Sequence, residues 1–481
     1  MNGTKRTGPW PWAKVPALLA VVALVGAACG GGTSPAPSGT ATVTEPPVTT
    51  DAPCEPVEIE WFVGLGTGEN EEQIPIEEDV VAAFNESQDC IDLLLTVVDN
   101  TEAADTLATR LAANDEPDII GPIGIRALQS FGDQLLDLTP YIGDVDLSEI
   151  EPGLVDAYKV DGKQIGIPMA VYPSFIYYNK SLFDEAGLAY PPHEIGEQYE
   201  GEDWTWATVR DLAMKLTVDT NGNDATSADF DPENVDVYGL DAQFTENDAR
   251  AWSTIFGGSG SVLEDDGTTA QWPDNWRTGL QYFYDGIWKD HFIPNQTAVQ
   301  ALAAGNTFQS GRIAMDVVHQ WYTCCVYPGE GETAAVTDWD IAVLPVGPDG
   351  NITSKLHADT IGILDTTENP DQAFEALTFL FQSPELIQTW GAMPAIESQR
   401  AAFFSGLDER FAPLEIDWTV STLMLGYPDN PSHEAFMPNF QEADSANKDL
   451  GSKLWTTPDL DVDAELDAQV ELLQGIFDSA S

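Results

Sequence analysis

Val160-Asp161-Gly162-Lys163-Gln164-Ile165-Gly166-Ile167-Pro168 runs, past Pro173, into Phe175-Ile176-Tyr177-Tyr178-Asn179-Lys180-Ser181-Leu182-Phe183-Asp184-Glu185-Ala186-Gly187. Residues 158–160 and 164–167 flank Asp161-Gly162, the pair that a two-residue type I′ turn demands, so they predict a hairpin. Pro168 and Pro173 bracket residues 169–172. Proline fixes φ and pushes the preceding residue out of the helical region, so this stretch predicts an extended crossing. Residues 175–178 are aromatic and β-branched and predict a strand. A helix over 181–186 follows and stops at Gly187, which can take the left-handed cap.

Upstream, three strands alternate with two helices. Residues 57–63 alternate, turn apolar and end in Gly64-Leu65-Gly66-Thr67-Gly68. Ile76, Val80, Val81 and Phe84 then recur at helical spacing. Residues 91–98 form a second strand, Leu107 and Leu111 share a helix face, and residues 118–121 form a third strand. Strand–loop–helix repetition predicts a parallel sheet flanked by helices. Downstream, helices are expected from Thr205, around Trp252, over 276–288 and over 370–381. Strands are expected near 311–318, 341–344 and 361–364, with a mostly helical region from Ser383.

At the N-terminus, Lys5, Arg6 and Lys14 precede an apolar run over 15–28, too short for the roughly 20 residues of a membrane span. This is the pattern of a secretory signal. Its end, Val25-Gly26-Ala27-Ala28-Cys29, resembles a bacterial lipobox, which implies lipid on Cys29; ordinary signal cleavage is the alternative. Residues 30–53 are Gly, Ser, Thr, Pro and Ala with almost no large apolar side chain, a tether rather than a core. Four further cysteines allow three pairings. Cys54 and Cys90 each stand just before a strand, so parallel neighbours would bring them to one edge and favour Cys54–Cys90. Cys324-Cys325 is then either a vicinal disulfide or two thiols. No C-x₂-C pair supports zinc.

The 481 residues carry 80 Asp+Glu against 19 Lys+Arg, a net charge of −61. A nucleic-acid binder needs the opposite balance, so that class is excluded, as is docking of this surface on anionic lipid. With 43% hydrophobic residues the chain has ample material for packed cores. The acids are dispersed through every segment from residue 45 on and read as a solvated surface suited to saline surroundings. Catalytic signatures are missing. Gly64-Leu65-Gly66-Thr67-Gly68 continues with Glu69, Glu71 and Glu72, which would repel a pyrophosphate. Asp219-Thr220-Asn221-Gly222-Asn223-Asp224 could offer oxygens to calcium, but an Asx-turn loop is the plainer reading, and the metal content is left open. The five histidines show no ligand spacing.

Three stretches together are similar to the extracellular solute-binding proteins of ABC importers, in the sugar-binding group typified by maltose-binding protein. The first is the quoted segment through Gly187-Leu188 and on to Trp204-Thr205-Trp206. The second is Ala304-Gly305 with Gly311-Arg312-Ile313-Ala314-Met315. The third is Leu344-Pro345-Val346-Gly347-Pro348-Asp349-Gly350 with Asn369-Pro370-Asp371-Gln372-Ala373 and residues 377–381. They span roughly residues 55–440.

The resemblance implies an α/β, two-lobed periplasmic-binding-protein-like fold of type II. Each lobe is a sheet flanked by helices, with ligand between them. The expected organisation is signal peptide 1–28, lipidated tether 29–53, one lobe from 54–168 with 316–364, and a second from 169–315 with 365–481. The hinge crossings fall near 167–172, 314–320 and 361–365. The implied function is capture of a mono- or oligosaccharide by a monomer held on the outer face of the bacterial membrane through lipid alone. Delivery is to an ABC permease, with no cofactor and no catalytic residues. A sugar offers apolar C–H faces and a hydroxyl rim, so its site needs aromatic platforms and carboxylate or amide acceptors. The expected lining is Thr67 and Glu69 after the first strand, Asp118 by the third, and Tyr172 past the first crossing. Trp252 and Gly258 face them, with Trp321, Asp359 and Trp390. The competing readings are a cationic ligand such as a polyamine or basic peptide, suggested by the acid excess, and an exported glycosidase.

Overall fold

The computed structural model describes residue 54 and most of 56–480; residues 1–53, 55, 125–127, 129, 146, 157, 161, 243–248, 257–260, 303–306, 325, 327–335, 430–436 and 481 lie outside the description. The signal peptide, Cys29, the tether, Gly258 and Cys325 therefore fall outside it. No helix among the described residues is long and apolar enough to cross a membrane.

The N-terminal third is built as its alternation predicts. Strand β1 (Val57–Val63) leads to helix α1 (Ile74–Ser87), β2 (Ile91–Val97), α2 (Asn100–Ala113) and β3 (Ile119–Ile123). α1 buries Glu77, Val80, Val81 and Phe84, one stripe at 3.6-residue spacing. α2 starts where Asp99 accepts the Thr101 N–H and ends at Asn114 in the left-handed conformation. β1 pairs in parallel with both β2 and β3. The register Val57↔Ile91 brings Cys54 and Cys90 together, and they are disulfide-bonded, 5.4 Å apart at Cα.

Strand β4 (Ile167–Asn179) is the spine. The predicted crossing and the strand after it are one continuous strand of 13 residues, every one buried. It is preceded by the expected hairpin over residues 159–164. It runs into helix α3 (Lys180–Ala186), capped by the Asn179 side chain and stopped at Gly187 with φ 66°. Helix α4 (Trp206–Leu216) starts at the Thr205 cap. Then come β5 (Asp241–Ala242), α5 (Ala249–Ser253), α6 (Asp274–Trp288) and α7 (Gln296–Leu302). Strands β6 (Met315–His319), β7 (Trp339–Ala342) and β8 (Leu356–Ile363) follow, with α8 (Pro370–Phe381) and α9 (Pro384–Thr389). The chain ends through β9 (Met393–Pro394), α10 (Glu397–Phe411), α11 (Phe440–Thr456) and α12 (Val462–Asp478).

The main sheet has the order β5-β6-β4-β8-β3-β1-β2, with β7 and β9 also on β4. The two halves of β4 hold different partners. Residues 167–173 pair with β8, and residues 174–179 pair with β6 and β7. Pro173 falls between the β9 pairing at Val171 and the β6 pairing at Ser174, a place where its missing N–H breaks no ladder.

Two expectations need correction. The crossing placed at 361–365 lies inside the β1–β3 half of the sheet, because Gly362 and Ile363 pair with β3; the changeover comes before Leu356. The stretch from 365 on does not pack as one body with the C-terminal helices. Phe379 of α8 meets Phe84 of α1 at 5.1 Å, and Trp390 meets Trp61 of β1 at 6.5 Å. α11 and α12 instead join α5 and α6, where Trp252 meets Trp455 at 6.0 Å and Phe283 at 5.8 Å. Apolar faces decide this: the buried stripe of α8 fits the open face of the parallel strands.

Candidate functional site

Parallel strands β1 and β3 end side by side, and glycines let their loops approach. A Cβ on Gly66 would lie 2.8 Å from the Pro122 carbonyl oxygen, and one on Gly124 would lie 3.5 Å from Asp359 Oδ1. The crevice beyond the carboxyl ends of parallel strands is where open α/β sheets take ligands. Asp359 stands there on β8, opposite Ala170 of β4, and the Tyr172 hydroxyl donates to its Oδ2 at 3.2 Å. Asp359 is 8% exposed. Burial pushes its carboxyl up to about 6, against the pull of His357 and the Tyr172 hydroxyl.

From Asp359 a row of rings runs along the changeover in β4. His357, opposite Tyr172, stacks on His319, opposite Ser174, at 3.9 Å. His319 in turn stacks on Trp321 at 6.2 Å. On the other side of Asp359 stands Tyr158, whose buried hydroxyl has no partner among the described residues and is raised well above its ordinary pKa by burial and by Asp359. Trp321 Nε1 and Gln320 Nε2 are likewise buried without a partner among the described residues. Gln320 Oε1 is fixed by the Ser421 hydroxyl at 2.6 Å. Buried polar atoms are almost always satisfied, so several orphans in one row can receive a hydrogen-bonding guest.

The structure thus brings together Tyr172, Trp321 and Asp359 from the expected lining. Glu69 stands on the β1 loop, with Oε2 buried and lacking a partner among the described residues. Its carboxyl is raised by burial and by Asp99, against the Asn100 backbone N–H. Thr67 is half-buried and accepts from Gln73 Nε2 at 3.3 Å; the same amide nitrogen reaches the Thr389 carbonyl at 3.2 Å. Trp390 is 4% exposed and donates to Glu77 Oε1 at 2.8 Å, so it ties α1 to the end of α9. Asp118 precedes β3 and so sits at the opposite end of the strand. It accepts the Glu60 N–H at 3.0 Å and the Thr367 hydroxyl at 2.5 Å, a structural tie. Trp252 is packed in the aromatic core of α5, α6 and α11. Tyr158, His319, Gln320 and His357 were not foreseen. No spacing could have found them, because strand register alone places the two histidines together.

Glu77 deserves a test of its own electrostatics. It is fully buried, and burial raises its carboxyl to about 7 against the Trp390 N–H. The folded pKa lies above the ordinary 4.5, so the burden is absent at low pH and grows as pH rises through 7. Glu77→Gln keeps the acceptor and removes the charge. Urea unfolding should show a gain of up to about 3 kcal/mol near pH 8 and almost none near pH 4.5. An equal shift at both values would refute the burial account.

No group of three metal-ligating side chains occurs among the described residues. Asp219, the centre of the possible calcium loop, is saturated by nitrogen donors. Asn221 N, Asn223 N, Asn223 Nδ2 and Asp231 N all reach it within 3.0 Å. Burial pushes its carboxyl up, but these donors outweigh that and hold it well below the usual range.

The profile of the bacterial extracellular solute-binding proteins matches residues 69–385. A binding protein of Brucella abortus is 24% identical over 361 residues, covering 72% of this chain and 81% of its own length. Among solved structures, the cyclic alpha-maltosyl-1,6-maltose binding protein from Arthrobacter globiformis superposes with a TM-score of 0.66 at 18% identity, covering 88% of this chain and 100% of that one. An ABC substrate-binding protein from Listeria monocytogenes in complex with cycloalternan superposes with a TM-score of 0.64 at 19% identity, covering 87% and 98%. The fold is therefore that of the type II periplasmic binding proteins. With a match over most of its length, this chain belongs to the bacterial extracellular solute-binding proteins.

Proposed function

We propose that the chain captures a carbohydrate in the crevice lined by Tyr172, Asp359 and Trp321, as a monomer held outside the membrane by lipid on Cys29, and passes it to an ABC permease. The observation that carries this is the row from Tyr158 to Trp321: stacked rings, one buried carboxylate and buried polar atoms awaiting partners. Rings match the C–H faces of a sugar, and the carboxylate and amide match its hydroxyls. Two proteins of the same fold, one in complex with cycloalternan and one a cyclic alpha-maltosyl-1,6-maltose binding protein, support the class. The strand β4 and the segments entering β6 and β8 form the hinge, and ligand shifts the population toward closure by touching both sides of the crevice.

Calorimetric titration of the full chain with maltose, trehalose and cycloalternan, and separately with spermidine, tests this. Binding of at least one sugar, weakened by Trp321→Ala by roughly 10-fold or more, is the expected result. Silence toward every sugar, or tight binding of spermidine alone, would overturn it.

A further inference from the structure

A second cavity lies away from the crevice and shares no residue with it. It encloses about 640 Å³ between the end of α6, helix α7 and Arg312. That size suits a small organic ligand. No residue of helix α7 is fully buried; Leu302 packs against the core, while Ala298, Ala301 and Leu302 also line this space, so part of the helix's apolar side faces open volume. A seven-residue helix has little stability of its own, and an occupant would supply the missing packing.

The walls are rigid and aromatic. The Trp288 indole is pinned through Nε1 to the Leu454 carbonyl at 2.9 Å, and its ring stays half-buried on the cavity. Tyr238 stands opposite, its hydroxyl raised by burial against the pull of Arg312. His291 lines the space with a backbone φ of 59°, a conformation a non-glycine residue keeps only when its surroundings impose it.

The chemistry of the lining is close to neutral. Arg312 is compensated by Asp236, with Nε on the carbonyl at 2.7 Å and Nη2 on Oδ1 at 2.5 Å. Burial lowers the His291 imidazole below its ordinary value, against Asp290 and Glu233, which favours the neutral ring. Asn295 and Thr297 add uncharged donors and acceptors, and Glu233 is the only carboxylate in the lining. Neutral hydrogen-bonding groups between aromatic walls select neither a phosphate nor a polyamine. They select an uncharged polyhydroxylated ring.

We propose that this cavity is a second carbohydrate site, for one or two uncharged sugar rings, distinct from the crevice at Asp359. The test is hydrogen exchange on the full chain with maltose or trehalose at millimolar concentration. Exchange over residues 288–302 should slow by at least about threefold. The slowing should persist in Asp359→Asn and vanish in Ala298→Trp, whose indole would fill the cavity from a half-buried position on α7. Protection around 357–359 serves as the separate readout of the crevice. No change over 288–302 with either sugar, or a change that survives Ala298→Trp, overturns the second site whatever the crevice does. A Thr297→Trp protein, filling the same space from the neighbouring position, repeats the test should Ala298→Trp unfold.

Discussion

An Asp359→Asn protein is expected to be more stable than the parent at neutral pH and to bind its ligand worse. In the folded chain this carboxyl titrates near 6, against an ordinary 3.8. Its folded pKa is raised, so folding favours the protonated form. That advantage is complete below about 3.8 and is lost as pH climbs through 6, a burden of up to about 3 kcal/mol at neutral pH. The amide carries no such burden and still accepts from the Tyr172 hydroxyl. Binding moves the other way. A charged acceptor for a sugar hydroxyl contributes about 1.5–3 kcal/mol, so the variant should lose roughly 10- to 100-fold in affinity. The parent's affinity should also fall between about pH 7.5 and 5 as the carboxyl protonates, whereas the variant's should stay flat. Paired urea unfolding and calorimetry across that range checks both halves. A variant that neither gains stability nor loses affinity would remove Asp359 from the site. The opposition of the two effects is the usual mark of a residue kept for function.

The second large effect concerns packing behind the site. An alanine at Gly239 would place its Cβ 2.0 Å from the Ala213 carbonyl oxygen and 2.6 Å from its Cα, so backbone faces backbone. The contact is fixed from both sides. Gly239 N donates to Thr217 Oγ1 at 2.9 Å, and that hydroxyl donates to the Ala213 carbonyl at 2.8 Å. α4 cannot retreat, because Trp206, Val209, Leu212 and Ala213 bury its inner face. Gly239→Ala should therefore cost more than about 3 kcal/mol. Gly406→Ala is the control: it meets nothing within 4 Å inside α10, and should stabilise by about 0.5–1 kcal/mol. Thermal melts of the two variants should move in opposite directions. A Gly239→Ala melt matching the parent would show that α4 is free to shift.

What the sequence revealed depended on whether a signal was local. The pairing of residues 159–160 with 163–164, the stop at Gly187 and the stripe of α1 are all set within a few residues, and they appear where expected. The disulfide was legible because parallel neighbours bring successive strand starts together. Tyr172 and Asp359, expected beside the first and third crossings, are brought together by the β4–β8 register. Asp118 could not be placed from the sequence, since which end of a five-residue strand meets those two residues depends on strand direction. Trp252 and Trp390 illustrate the same limit: a tryptophan at a loop mouth looks alike whether it faces a cleft, a carboxylate or a core. The stack of His319 on His357 required the registers of two strands on β4, which no spacing encodes.

Strand β4 also sets the timetable of folding. Its side chains are all buried, yet the partners that cover it come late in the chain: Tyr177 bonds to a residue 142 positions on, and Ile167 to one 193 positions on. The β1–β2 pairing, by contrast, is complete once residue 97 is available. A strand that waits for residues 315–363 delays closure of the sheet until most of the chain is present. The same delay leaves a 13-residue apolar strand uncovered until then, the segment on which a holding chaperone would have most to gain.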